Sequence, residues 1–139
     1  MTIAATAPSE ATIAALLARI AFDERGLVPA IAQQHDSGEV LMMAWMNREA
    51  VAETLRTGRG CYWSRSRRAL WRKGETSGQS QALVEFRIDC DGDTVLLRVD
   101  QTGVACHTGR RSCFFTAVRG DAIETVADVL VDPRDLYPG

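Results

Sequence analysis

Residues 82–91 alternate between two sets of side chains, and this alternation constrains the fold more than any other feature of the sequence. The side chains expected on one face of a strand are Ala82, Val84, Phe86, Ile88 and Cys90. Those expected on the opposite face are Leu83, Glu85, Arg87, Asp89 and Asp91. A period of two is typical of a β-strand with one buried face. Because Asp91-Gly92 is a turn signal and residues 94–99 are again mostly apolar, the sequence predicts a β-hairpin here.

The rest of the chain predicts both helices and strands. A helix is expected over residues 9–22, where apolar residues recur at helical spacing after the potential N-cap Ser9, and a second helix between Asn47 and Gly58. Further strands are expected at residues 27–34, 40–46, 61–64 and 114–118. A C-terminal helix is expected to carry Ile123, Val126 and Leu130. The strand at residues 40–46 is expected to place Met42, Met43, Trp45 and Met46 in the core. The order predicts an α+β fold with a mixed, largely antiparallel sheet and a few flanking helices.

Length and charge limit the organisation of the chain and its partners. With 139 residues, it is expected to form a single domain, with an N-terminal helical extension over 1–22 and a C-terminal helix and tail over 120–139. No signal peptide and no membrane-spanning apolar run is predicted, so the expected location is the cytoplasm, where thiols stay reduced. The net charge of -2 argues against nucleic acid or an acidic membrane as a partner.

Charged residues are segregated along the chain. Residues 54–74 contain seven Lys or Arg and no acid, whereas residues 89–100 contain four Asp and one Arg. Each segment can be a solvated face. Together they can also form a polyanion-binding cradle beside a cation site, because the planar arginine fork grips phosphate oxygens in pairs.

Three aspartates are crowded into the predicted hairpin turn, in the run Asp89-Cys90-Asp91-Gly92-Asp93. The run resembles the start of a calcium-binding EF-hand loop, but that loop needs Gly at its sixth position and Glu at its twelfth. Here those positions hold Thr94 and Asp100, and both flanks are predicted strands. Two interpretations therefore remain: an acidic hairpin tip in water, or carboxylates neutralised by a hard cation or by arginines.

Cys90, Cys106 and Cys113 are candidate metal ligands. Their spacing is not the paired C-x-x-C of a zinc ribbon, so each can also be a core cysteine. Three ligands that leave one open position are the catalytic arrangement of zinc. Cys61 lies in an apolar strand and is expected in the core.

The chain has two histidines, His35 and His107. His35 precedes a predicted turn and is expected to be structural. His107 follows Cys106 directly, and a histidine beside thiolate ligands is a candidate for acid–base work.

Six short segments together resemble one enzyme family. They are Met46-Asn47 with Glu49-Ala50, Ser64-Arg65-Ser66-Arg67, Leu70-Trp71 with residues 73–78, residues 89–94, residues 103–109, and residues 112–115. In this order and spacing they are similar to the phosphoribosyl-AMP cyclohydrolases of histidine biosynthesis. The similarity runs from about residue 27 to residue 115; the first 22 residues and the C-terminal tail lie outside it.

The resemblance implies a zinc- and magnesium-dependent hydrolase that opens the purine ring of 1-(5-phosphoribosyl)-AMP at the N1–C6 bond, by attack of zinc-bound hydroxide. It implies an intertwined homodimer with a pseudo-barrel-like sheet. One Zn²⁺ per subunit would be held by Cys90 of one subunit with Cys106 and Cys113 of the other, and Mg²⁺ by Asp89, Asp91 and Asp93. His107 is the expected base. The expected substrate-binding residues are Arg65, Arg67, Trp71, Lys73, Glu75, Ser77 and Gly78.

Two other zinc-based functions fit parts of the sequence. A zinc nucleobase deaminase attacks the same purine carbon, but its His-x-Glu and Pro-Cys-x-x-Cys signatures are absent from this sequence. A zinc-stapled nucleic-acid-binding module could use the arginine-rich segment. The net charge of -2 and the unpaired cysteine spacing argue against it.

Overall fold

The computed structural model describes residues 7–136 and contains three helices and eight strands in that range. In chain order they are α1 (Glu10–Arg19), β1 (Val28–Gln34), β2 (Val40–Met46), α2 (Arg48–Thr57), β3 (Cys61–Ser64), β4 (Ala69–Arg72), β5 (Gln81–Ile88), β6 (Val95–Gln101), β7 (Thr116–Arg119), β8 (Ala122–Thr125) and α3 (Pro133–Leu136). This order confirms the predicted α+β class. No helix in the described range is long and apolar enough to cross a membrane.

Six strands form one curled sheet in the order β4-β3-β2-β1-β6-β5. Neighbouring strands are antiparallel except β1 and β6, which are parallel. Strand β5, at one edge of the sheet, curls back to the segment just before β3. There Gly60 N donates to Gln81 O at 3.0 Å, and Leu83 N donates to Gly58 O at 2.8 Å. The sheet is therefore a half-barrel, and the prediction of a mixed, largely antiparallel sheet is confirmed.

Buried side chains fill the space inside the curl. Strand β1 alternates between fully buried and half-buried residues, and α2 packs its apolar face over the sheet. Where the curl closes, the Tyr62 hydroxyl donates to Gln81 Oε1 at 2.6 Å, and Gln81 Nε2 donates to Gln101 Oε1 at 3.0 Å. These hydrogen bonds link β3, β5 and β6, and they offset the cost of burying the polar groups.

Helices α1 and α2 begin after their predicted N-caps and α2 ends at the predicted Gly58, but α1 ends at Arg19, short of the predicted residue 22. Ser9 Oγ accepts a hydrogen bond from Thr12 N, and Asn47 Oδ1 accepts one from Ala50 N. Gly58 ends α2 with a φ of 71°, a left-handed conformation that glycine adopts without strain. These caps fix the boundaries of α1 and α2.

The faces predicted for the long strand are wrong in part. The pairing of β5 with β6 skips Val84, so that Leu83 is buried on the packed face with Gln81 while Glu85 is exposed. A bulge of one residue reverses the alternation, and no local sequence signal marked it. The strand also ends at Ile88, so Cys90 lies exposed in the turn rather than on an apolar strand face.

The predicted C-terminal helix is also wrong. Strands β7 and β8 form a separate hairpin around Gly120-Asp121, and the last predicted strand begins two residues later than expected, at Thr116. A glycine with a positive φ is typical of such two-residue turns. Ile123 and Leu130 remain 79% and 65% exposed, so their helical spacing has no core to pack against. The predicted terminal segments 1–22 and 120–139 include residues 1–6 and 137–139, which lie outside the described residues.

Candidate active site

A cleft of about 760 Å³ lies over β2, β3 and β4, between the β3–β4 turn and the loop that follows β4. Most of the side chains expected to bind substrate line it: Arg65, Arg67, Trp71, Lys73, Glu75 and Ser77. His107 reaches the same cleft from the loop after β6. Gly78 lies outside the lining, and its N–H already donates to Gly74 O at 2.8 Å. The structure therefore brings the predicted substrate residues together, with Gly78 as the exception.

The β3–β4 turn presents two arginines to the cleft. Ser64 Oγ accepts a hydrogen bond of 3.3 Å from Arg67 N, and Arg68 completes the turn with a φ of 51°. Arg65 and Arg67 are exposed, and neither pairs with a carboxylate within residues 7–136. Their guanidinium groups are therefore free to bind anions such as phosphate.

Lys73 lines the cleft but is directed into the protein. The residue is 8% exposed, and its Nζ donates to Ala105 O at 2.5 Å. Burial lowers the pKa of Lys73, while the negative charges of Cys113 and Cys106 act in the opposite direction. Lys73 thus connects the cleft to the loop that carries the two cysteines.

Cys106 and Cys113 lie side by side, and each thiol affects the ionisation of the other. Cys106 is 4% exposed and its Sγ shares a hydrogen bond of 3.1 Å with Thr108 Oγ1. Burial opposes ionisation of Cys106, but the bonds to Thr108 and the charge of Lys73 outweigh it and the pKa is lowered. Partial burial and the neighbouring Cys106 raise the pKa of Cys113 to about 11. The Cys113 N–H donates to Leu41 O at 2.7 Å, which ties this pair of thiols to β2.

Cys90 is remote from that pair within the same chain. Lys73 lies at the Gln81 end of β5, because both residues hydrogen-bond Gly60. Cys90 follows the other end of the strand, after Ile88. At about 3.3 Å per residue, the two ends of β5 are roughly 23 Å apart. Within residues 7–136 of one chain, the three predicted zinc ligands are therefore not brought together.

The three aspartates of the β5–β6 turn do form a cluster. Carboxylate oxygens of Asp89, Asp91 and Asp93 lie within 4.8 Å of one another, and all three residues are exposed. The hydrogen bond with Asp89 and the nearby negative charges raise the pKa of Asp93. This crowding favours a bound cation.

The N-terminal helix supports the turn that holds this cluster. Ala21 N donates to Gly92 O at 2.7 Å. A Cβ at Gly92 would lie 2.2 Å from Arg19 O, and the φ there is 73°. Only glycine fits this contact, which fixes the aspartate turn against the end of α1.

Two aromatic residues of the cleft were missed by the sequence interpretation. Trp45 was expected in the core and Trp63 was given no role, yet both are half-buried and line the cleft. Met43, also expected in the core, is 45% exposed beside them, whereas the predicted core residue Cys61 is buried. The available signal was the position of Trp63, two residues before Arg65 at the end of the strand that leads into the arginine turn.

The cleft lies within the part of the chain that matches a known protein family. The family model described as phosphoribosyl-AMP cyclohydrolase matches residues 42–115, a range that contains the whole lining of the cleft. Similar proteins carry that same name. One from Alkalilimnicola ehrlichii is 71% identical over 88% of this chain and 87% of its own length. One from Paramagnetospirillum magneticum is 71% identical over 89% of this chain and 94% of its own length. One from Rhodospirillum centenum is 66% identical over 91% of this chain and 96% of its own length.

Proposed function

The chain belongs to the phosphoribosyl-AMP cyclohydrolase family, hydrolases of histidine biosynthesis, and we propose that it opens the N1–C6 bond of phosphoribosyl-AMP. The cleft is the observation that supports this most, because it combines free arginines, tryptophans and His107. A ribosyl group on N1 makes the purine ring cationic and C6 electrophilic. Water adds to C6, the C6–N1 bond breaks, N1 takes up a proton, and the oxygen of water becomes a carboxamide oxygen.

The arginines of the β3–β4 turn suit the phosphates of this substrate, which carries one phosphate on each ribose. Arg65 and Arg67 are exposed, and each can bind phosphate oxygens through paired N–H groups. Glu75 and Ser77 line the same cleft from the loop after β4, and we propose that they bind ribose hydroxyls. The Trp71 ring also lines the cleft, and its centre lies 5.5 Å from the centre of the Tyr62 ring.

Lys73 has a different role in this proposal from the substrate contact that the resemblance suggested. Its ammonium group is enclosed and donates to Ala105 O, next to Cys106. From there it holds the cysteine loop in position and balances the negative charge of two adjacent thiolates. Lys73 is therefore proposed as a positioning residue of the thiol pair.

The donor groups fit zinc if a second subunit completes the set. Cys106 and Cys113 supply two adjacent sulfurs, which are soft ligands suited to zinc. The exposed Cys90, in the turn beyond the far end of β5, would supply the third sulfur to the partner subunit. A homodimer built in this way has one zinc per subunit. When bound, zinc supplies a Lewis acid that lowers the pKa of water.

The aspartate cluster fits magnesium. Asp89, Asp91 and Asp93 offer hard oxygen ligands within one turn, which is the donor type that Mg²⁺ prefers. Asp89 and Asp91 flank Cys90, so the docking that delivers Cys90 to the partner's thiol pair also brings this cluster to the partner's cleft. There a bound cation would add to the attraction for the phosphates.

His107 is the proposed base, since it lines the cleft and directly follows Cys106. Replacing it with asparagine should lower kcat by about a hundredfold, because proton transfer to a positioned side chain is lost. Zinc content should be unchanged. The measurements are kcat across pH and elemental analysis, with His35→Asn as the control, because His35 lies in a turn away from the cleft. An unchanged rate and pH profile in His107→Asn would remove the base assignment.

The proposed function is tested by adding phosphoribosyl-AMP to the purified protein supplied with zinc and magnesium, and following the ultraviolet absorbance change of ring opening. AMP is the control substrate, because it lacks the N1 substituent that activates C6. Turnover of phosphoribosyl-AMP but not of AMP is expected. A protein that binds both metals and leaves phosphoribosyl-AMP unchanged would contradict the proposal.

A further inference from the structure

All three tryptophans of the chain line the cleft. Trp45 on β2 and Trp63 on β3 lie directly opposite each other in the strand pairing. Residues paired in this way project from the same face of a sheet, so Trp45 and Trp63 are neighbours on the face that lines the cleft. Both residues are half-buried, which leaves part of each side chain open to the cleft.

A cation already rests on one of these rings. The Arg65 guanidinium lies 4.9 Å from the centre of the Trp45 ring. That distance is within the range in which a cation is attracted to the electron-rich face of an indole. Trp45 therefore offers a binding position for a flat, positively charged group, and the position faces the cleft.

We propose that Trp45 and Trp63 form a stacking platform that selects the cationic, N1-substituted purine over a neutral adenine. The inference rests on the proposed function, which supplies the purine that occupies the cleft. Any purine can stack on an aromatic ring. The electron-rich face of the ring adds an electrostatic attraction only when the purine is cationic. Arg65 is exposed, so its guanidinium can leave the Trp45 ring and bind a phosphate when the purine takes its place.

The test compares two nucleotides that share one phosphate and differ in ring charge: AMP, and AMP methylated at N1, which is cationic near neutral pH. Binding to the metal-replete protein is measured by isothermal titration calorimetry, and absorbance confirms that neither purine opens during the titration. The wild type should bind the methylated nucleotide about tenfold more tightly than AMP. Trp45→Leu and Trp63→Leu should reduce this preference to about twofold or less, and Trp45→Phe should retain part of it.

Two results would overturn the platform. One concerns the wild type alone: it binds the methylated nucleotide no more tightly than AMP, or binds it undetectably. The other is an undiminished preference for the methylated nucleotide over AMP in Trp45→Phe and in one of the two leucine variants. That leucine variant must keep the thermal unfolding midpoint of the wild type. Turnover of phosphoribosyl-AMP by the same wild-type preparation is measured in parallel. Turnover without a preference contradicts only the platform, whereas a preference without turnover contradicts the proposed reaction.

Discussion

Mixing the Cys90→Ser and Cys106→Ser proteins is expected to restore about a quarter of wild-type turnover, although each variant alone is expected to be nearly inactive. Each variant homodimer lacks one sulfur in both of its proposed zinc centres. In a mixed dimer, the intact Cys90 of one subunit meets the intact Cys106 and Cys113 of the other, so one of two centres is complete. Random exchange makes half of the dimers mixed, and half of their centres work.

A second mixture serves as the control. Cys106→Ser and Cys113→Ser remove sulfurs from the same half of the centre, so no mixed dimer contains a complete set. No recovery is expected after the same unfolding and refolding. The measurements are kcat and zinc per chain in both mixtures. Recovery in both, or in neither while the refolded wild type is active, would contradict a centre shared between subunits.

The local elements of the fold could be predicted because their signals are local. Asn47 and Gly58 bound α2 as expected, and Asp91-Gly92 marks the turn between β5 and β6. The bulge at Val84 depends on how β5 pairs with β6, and nothing within the strand encodes it. The C-terminal hairpin was missed because apolar residues at helical spacing outweighed its Gly120-Asp121 turn signal.

The candidate site was predicted residue by residue but not in its arrangement. Arg65, Arg67 and His107 could be grouped because their segments carry the resemblance to one family. The inward direction of Lys73 and the cleft-facing ring of Trp45 depend on the curl of the sheet. That curl is made by contacts between residues far apart in the chain, such as Gly60 with Gln81, which no periodicity reveals.

Removal of transition metal is expected to lower kcat by at least a thousandfold. In the proposed function, the residues of this chain bind the substrate and move protons, and a base such as His107 would contribute about 10²–10⁴-fold to the rate. In the proposed reaction, water near neutral pH must also be activated by a Lewis acid. In well-studied zinc sites the metal lowers the pKa of bound water by about nine units. Magnesium alone should not restore the rate, because its ligands are oxygens and not thiolates.

The most direct measurement is the turnover of phosphoribosyl-AMP together with zinc content by elemental analysis, before chelation, after exhaustive chelation, and after zinc is returned in the presence of magnesium. The account predicts near-complete loss on stripping and recovery that saturates at one zinc per chain. Full turnover by protein that retains no transition metal would contradict a zinc centre held by Cys90, Cys106 and Cys113.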